Sequence, residues 1–334
     1  MTSETRISRR IFTGIAARLA AFSALGVMPA ARALSQTAPT AAQPAPLRRA
    51  VARLYHFATA PFPYHGNEPD DGGKFLDTTV NGRRGHTAPR GGVYFEDTTY
   101  SDNRTLLAFP AGFDLNKPAA LVVFFHGNQA TLERDVLGGQ RVFEQLRNSG
   151  INAALIAPQF AVDALDSSAG HFWEPQMFAL FMSEAATNLA SLWGSQAARD
   201  SFAHMPIIMV AYSGGYDPAA YALTVGGVGR RVRGVILLDA LFGEPDRFAD
   251  WIAANHRSAF FFSAYGDAAP DNMAVRHQLD AKDISYSTNL PKSLRPGQVT
   301  FFSTPGIPHV DYMTQAWVKD PLTWALSRVA GFSR

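Results

Sequence analysis

Short apolar runs alternate with segments of helical periodicity over most of the 334-residue chain. A continuous apolar run of this length is typical of a strand that is covered on both faces. Between the runs, apolar residues recur at the spacing of one helix face. The predicted strands are 93–95, 106–109, 119–125, 153–157, 206–211, 234–238, 259–264 and 299–303. The predicted helices are 131–148, 176–193, one that follows residue 215, 245–254, 272–281 and 309–329.

This alternation of strand and helix, repeated about six times, predicts an α/β fold: a mostly parallel, doubly wound sheet with helices on both faces. The first two strands are expected to be joined by the polar turn 101–103. In such sheets, ligands bind beyond the carboxyl ends of the strands. We therefore expect a functional site where polar residues follow the strands, at His126, Gln159, Ser213, Asp239, Asp267 and His309.

Ser213 lies in the segment 211–215 (AYSGG), between a predicted strand and a predicted helix. A serine on such a tight turn needs small residues two positions before and after it, and Ala211 and Gly215 meet that need. The segment resembles the nucleophile elbow G-x-S-x-G of the α/β-hydrolase superfamily, with alanine in place of the first glycine. The alternative is a glycine-rich turn whose serine caps the next helix. The resemblance implies an α/β-hydrolase fold with Ser213 as nucleophile, and the short segment 239–244 predicts no large lid domain.

A serine nucleophile needs a base, and the base needs a carboxylate that orients it. In the superfamily that the elbow resembles, the acid and the histidine follow the serine along the chain. His309, after the last predicted strand, is then the expected base. Asp267, after the strand 259–264, is the first candidate for the acid, and Asp239, after the preceding strand, is the alternative.

The tetrahedral intermediate of such a reaction needs two backbone amide donors. The segment that begins at His126 resembles the superfamily's His-Gly loop after its third strand. The resemblance implies that the amide of Asn128 or Gln129 pairs with that of Gly214, and that the imidazole of His126 braces the loop. His171, Phe172 and Trp173 follow another strand; they are expected either to wall a substrate cleft or to pack in the core.

The first residues resemble a twin-arginine export signal. Residues 1–33 hold five arginines and one acid, with Arg9-Arg10 before an apolar stretch and the small residues Ala31 and Ala33 at its end. The expected organisation is a signal peptide at 1–33, a flexible linker at 34–46 and a single α/β-hydrolase domain at 47–334 that carries an N-terminal extension, 47–92. The resemblance implies the twin-arginine machinery as a partner, a periplasmic or secreted location, and no stable membrane span after processing.

Charge and composition remove several classes of function. The chain has no cysteine, which excludes disulfides and thiolate chemistry. Outside 1–33 it carries 25 basic and 27 acidic residues, so no basic surface for nucleic acid is expected. No cofactor and no metal are expected: the acidic segment 67–73 lacks the ligand spacing of a calcium loop.

Together these features predict an exported serine hydrolase with a Ser-His-Asp triad. Its substrate would be a small or polymeric carboxylic ester or amide, cleaved through an acyl-enzyme on Ser213. The alternatives are a periplasmic peptidase or cell-wall amide hydrolase, and a catalytically inactive hydrolase-like binding protein. Because unrelated functions share this fold, the sequence does not name the substrate.

Overall fold

The computed structural model describes residues 45–334. The predicted signal peptide and nearly all of the predicted linker lie outside the described residues. The strands are β1 Val51–His56, β2 Thr78–Val80, β3 Arg83–Thr87, β4 Val93–Phe95, β5 Arg104–Phe109, β6 Ala120–Phe125, β7 Ala153–Pro158, β8 Ile207–Tyr212, β9 Val232–Leu238, β10 Phe260–Tyr265 and β11 Val299–Ser303. The α-helices are α1 Glu96–Thr99, α2 Val142–Asn148, α3 Met177–Trp193, α4 Arg199–His204, α5 Tyr216–Thr224, α6 Pro245–Asn255, α7 Ala269–Asp280 and α8 Pro321–Leu326.

Eight of the strands form one sheet, in the order β1-β5-β7-β6-β8-β9-β10-β11. The six strands from β7 to β11 in this order run parallel to one another, and β5 is antiparallel to both of its neighbours. The predicted α/β class and mostly parallel sheet are confirmed, and the arrangement is that of the α/β-hydrolase fold. Only a short segment joins β9 to α6, so no large lid domain stands between them.

The apolar runs are continuous because each central strand contributes to two cores. In β6, Val123 and Phe125 belong to the core on one face, and Val122 and Phe124 belong to the core on the other. The first core is covered by α3 to α7, and the second by α2 and α8. Side chains that alternate between two buried faces leave no polar position in the strand.

Two predicted helices are shorter in the structure. The segment 131–148 divides into a π-helix, Leu132–Gly139, and α2, with Arg141 in the left-handed region (φ 51°) between them. The segment 309–329 contains a 3-10 turn, His309–Met313, and then α8. Glycine at the end of the first piece and proline at the start of α8 account for the breaks, since both residues disfavour a helix interior.

The prediction that a polar turn alone joins 93–95 to 106–109 is wrong. Strand β4 pairs with β3 in a separate three-stranded sheet, and α1 leads from β4 to β5. The extension 47–92 contributes β1 to the edge of the main sheet, where it pairs antiparallel with β5. In the described part of the chain, no helix combines the length and the apolar character needed to cross a bilayer.

Candidate active site

Ser213 occupies a sharp turn between β8 and α5. Its backbone lies in the left-handed region (φ 52°), which costs a non-glycine residue free energy and is held only where the surroundings enforce it. Gly215 permits the turn because a Cβ there would clash with the main chain of Phe125 at the end of β6. Gly127 permits it from the other side, since a Cβ would lie 2.7 Å from that of Ser213. Close packing on two sides of the turn therefore explains why residues beside Ser213 must be small.

A chain of hydrogen bonds joins the ends of three separate elements. The Ser213 hydroxyl lies 2.8 Å from Nε2 of His309, and Nδ1 of His309 lies 2.7 Å from Oδ2 of Asp239. A carboxylate only accepts, so Nδ1 of a neutral imidazole donates to Asp239 and Nε2 accepts from the serine. The arrangement can move a proton from the serine hydroxyl to an imidazole that a carboxylate orients.

Asp239 is fully buried, and its second oxygen accepts hydrogen bonds from the amides of Gly266 (2.9 Å) and Ala268 (3.0 Å). Burial alone would raise the pKa of this carboxyl. The hydrogen bonds from His309 and from the two amides outweigh burial and hold the pKa below its ordinary value. Asp239 is therefore ionised at neutral pH, which suits it to stabilise a positive charge on the imidazole.

Asp267, the first candidate for the acid in the sequence, does not bond to His309. It is exposed, although one of its oxygens comes within 4.8 Å of the ligand atoms of His309 and Asp239. Strand order explains the difference, because β9, which Asp239 follows, is the direct neighbour of β8. The backbone of Asp239 is also left-handed (φ 43°), which brings its carboxylate to the imidazole.

Two aromatic rings hold the imidazole of His309. Tyr212 stacks on it with centroids 5.2 Å apart, and its hydroxyl donates to the His309 carbonyl at 3.2 Å. Phe242 meets the ring edge-on at 5.5 Å. The sequence analysis missed Phe242, whose only signal is an aromatic residue in the short segment after Asp239.

Hydrogen bonds in the loop after β6 distinguish the two candidate oxyanion donors, Asn128 and Gln129. The amide of Gln129 donates to the carbonyl of Ala164 at 2.8 Å and is therefore occupied. The amides of Asn128 and Gly214 make no hydrogen bond to another described residue. The two residues also lie against each other, because a Cβ on Gly214 would clash with the side chain of Asn128. The geometry favours Asn128 over Gln129 as the partner of Gly214.

His126 lies behind this loop and is almost completely buried. Its Nδ1 donates to the carbonyl of Gly127 (2.8 Å), and its Nε2 accepts from the amide of Phe160 (2.9 Å). Burial lowers the pKa of His126 to about 4, so the imidazole is neutral at pH 7. The ring ties the loop to the segment after β7, in agreement with the bracing role that the sequence predicts.

A cavity of about 250 Å³ opens near the start of α5, and its lining includes none of Ser213, His309 and Asp239. Of the three residues after Gly170, Trp173 lines it, Phe172 is buried in the core, and His171 bonds to Glu174 at 3.2 Å. Ser167 also lines the cavity, and its hydroxyl donates to Oδ1 of Asn128 at 3.1 Å. The cavity is therefore adjacent to the proposed oxyanion donors.

Asp239, Asp267 and His309 form the one group of three potential metal ligands within the described residues 45–334. Both oxygens of Asp239 and both ring nitrogens of His309 are already engaged in hydrogen bonds. A metal would have to displace those bonds, so this donor set fits proton transfer better than metal binding.

The sheet order and the bonded Ser213, His309 and Asp239 define a protein of the α/β-hydrolase fold with a serine–histidine–aspartate constellation. No protein-family model and no curated protein matches the chain. Similar solved structures include a mutant feruloyl esterase module from Clostridium thermocellum complexed with sinapinate (16% identity, TM-score 0.41, covering 80% of this chain and 95% of that one). Another is S-formylglutathione hydrolase from Agrobacterium tumefaciens (12% identity, TM-score 0.42, covering 75% and 97%). A third is a thermostable esterase from Pseudomonas putida (12% identity, TM-score 0.38, covering 69% and 76%).

The buried neutral His126 predicts a pH-dependent stability. Its pKa is about 4 in the folded chain, against 6.5 for the free side chain, so the unfolded state binds the proton more readily. The contribution of the neutral His126 to the free energy of unfolding is complete above about pH 6.5. It is lost as the pH falls towards 4, and the loss is about 3 kcal/mol in all. Urea unfolding should therefore show the difference in stability between wild type and His126→Asn narrowing from about pH 7 to about pH 4.

His204 lies on the exposed side of α4, and His204→Asn is the matched control. A difference between wild type and His126→Asn that stays constant over this range would contradict the prediction.

Proposed function

We propose that this protein is an exported serine hydrolase that cleaves a carboxylic ester through an acyl-enzyme on Ser213. The observation that carries the proposal is the hydrogen-bonded series from Ser213 through His309 to the buried Asp239. The left-handed turn and the two unengaged amides beside the serine support it. Each of these features serves nucleophilic attack on a carbonyl group.

In the first half of the reaction, Oγ of Ser213 attacks the carbonyl carbon while Nε2 of His309 takes its proton. The carbonyl oxygen becomes an anion that the amides of Asn128 and Gly214 stabilise. The bond from carbon to the leaving oxygen then breaks, and the alcohol leaves with the proton from His309. The acyl group stays on Ser213.

In the second half, a water molecule gives its proton to His309 and attacks the acyl carbon. The bond to Oγ breaks, Ser213 recovers the proton, and the carboxylic acid leaves. Asp239 stays ionised throughout and stabilises the imidazolium that forms in each half. The sum is ester plus water giving acid plus alcohol.

Covalent labelling tests the nucleophile. A fluorophosphonate probe should label the mature wild-type protein and fail to label Ser213→Ala, because the probe is attacked only by an activated hydroxyl. Hydrolysis of short-chain p-nitrophenyl esters should fall by about 10⁴-fold or more in the same variant. Ser263→Ala, at a serine buried within β10, is the control and should label as wild type does. Equal labelling of wild type and Ser213→Ala would reject the proposal.

A pair of isosteric changes tests which carboxylate orients the base. Asp239→Asn should lower kcat by about 10⁴-fold, because an amide nitrogen facing Nδ1 favours the wrong tautomer of His309. Asp267→Asn should change kcat by less than about threefold, since an exposed carboxylate with no bond to the imidazole adds little. A large loss in Asp267→Asn together with a small one in Asp239→Asn would reverse the assignment.

Export through the twin-arginine route is proposed from the sequence of residues 1–33. Replacing Arg9 and Arg10 together by lysine should leave the precursor in the cytoplasm, because lysine lacks the planar guanidinium fork of arginine. Cell fractionation and the size of the protein measure this outcome. Arg18→Lys, outside the pair, is the control. Unchanged export of the double variant would contradict the proposed route.

A further inference from the structure

The cavity beside the candidate oxyanion donors, here called the acidic pocket, is built from several parts of the chain. The N-terminal extension supplies one wall, and the loop around Ser167 supplies another. The first turns of α5 and the residue before α6 complete it. Its ionisable lining is Glu68, Asp70, Asp166, Asp217, Glu244 and Arg90. Five carboxylates therefore face one cavity of about 250 Å³.

The acidic pocket adjoins Gly214, one of the two candidate oxyanion donors. A Cβ on Gly214 would lie 2.7 Å from the hydroxyl of Ser167, which lines the pocket. Tyr216 and Asp217 also line it, and they form the start of α5 directly after the serine turn. A substrate whose carbonyl reaches Ser213 can thus place part of its structure in the pocket.

Some of the pocket's carboxylates already have partners. Asp166 accepts hydrogen bonds from the hydroxyls of Tyr100 and Ser168, both at 2.7 Å. Glu244 accepts from Arg247 at 2.6 Å. These contacts leave the negative charge of the pocket only partly compensated by cations.

Among the described residues, no lysine or arginine lies within ion-pair distance of Glu68, Asp70 or Asp217. Glu68 has His86 at 3.3 Å, and Asp217 accepts a hydrogen bond from the neutral indole of Trp173 at 3.1 Å. Burial, followed by the charge of Glu244, raises the pKa of Asp217 well above its ordinary value. A positive group in the pocket would relieve that repulsion and restore the charge of Asp217.

The spacing of these carboxylates favours an organic cation over a metal ion. Within residues 45–334, no three of them bring ligand atoms within 4.8 Å of one another, as the group around His309 does. The charge is instead spread around a space large enough for a substituted ammonium group. The rings of Trp173 and Tyr216 on the wall add aromatic surface, which attracts cations further.

We propose that the acidic pocket binds a positively charged organic group, such as a substituted ammonium, carried by the ester that Ser213 cleaves. This inference rests on the proposed function, and it assigns to the extension 47–92 a part in choosing the substrate. The charged group lies in the acyl half or in the alcohol half of the ester, and the two are separated by experiment.

Matched pairs of esters test the proposal. One pair is acetylcholine and its uncharged isostere, in which carbon replaces the quaternary nitrogen. The other is the ethyl ester of a trimethylammonium-substituted butanoic acid and its carbon isostere. We expect kcat/KM to favour the charged member of at least one pair by about tenfold or more, because the two members differ only in charge.

Two variants locate the preference. Asp217→Asn should lower the ratio of kcat/KM between the charged and uncharged esters several-fold. Glu68→Gln, on a different wall, should also lower this ratio, and it provides the test if Asp217→Asn folds poorly. Asp200→Asn removes one negative charge from exposed α4 and should leave the ratio at its wild-type value. An unchanged ratio in both pocket variants would overturn the inference.

The failure of this inference is distinct from the failure of the proposed function. Equal Ser213-dependent hydrolysis of both members of both pairs would overturn the cation pocket and leave the hydrolase. A strong preference for a neutral sugar acetate over all four esters would do the same. If the wild-type protein hydrolysed none of the esters and were not labelled by the fluorophosphonate, both the cation pocket and the proposed function would be overturned.

Discussion

The backbone of Ser213 is left-handed at the end of the central strand β8, and three glycines make room for it. Gly127 and Gly215 let the loop after β6 and the start of α5 approach the serine, and Gly214 lies against the side chain of Asn128. A side chain at any of these positions would push apart elements that must touch. The hydroxyl is thereby presented at the rim of the sheet, where His309 and two backbone amides can reach it. The strain of one turn is thus balanced by close packing around it.

Sequence patterns predicted the parts of the molecule whose structure is set locally. Mainly apolar runs identify β6 to β11, because most side chains of a strand that is buried on two faces are apolar. A serine between two small residues identifies the turn. Two choices between candidate residues depend on contacts between distant segments and could not be made correctly from local sequence. Which of Asp267 and Asp239 bonds to His309 depends on which strand neighbours β8. The choice between Asn128 and Gln129 as oxyanion donor depends on a hydrogen bond to Ala164 in another loop.

The extension 47–92 shows the same limit. Its glycine and acidic residues gave no recognisable pattern, yet it supplies β1 to the sheet and Glu68 and Arg90 to the cavity. A single edge strand has weak periodicity, and its partner β5 lies far along the chain. Pairing at such a separation leaves little trace in local sequence, which explains why β1 is absent from the predicted strands.

Asp239 and Asp217 illustrate how the surroundings of a carboxyl set its charge. Asp239 accepts bonds from His309 and two amides, and its pKa falls despite burial. Asp217 has one neutral donor and a neighbouring carboxylate, and its pKa rises. The protein itself supplies what stabilises the charge of Asp239, which suits a group that acts in every turnover. No arginine or lysine among the described residues lies within ion-pair distance of Asp217, and in our proposal the charged group of the substrate supplies the compensating charge.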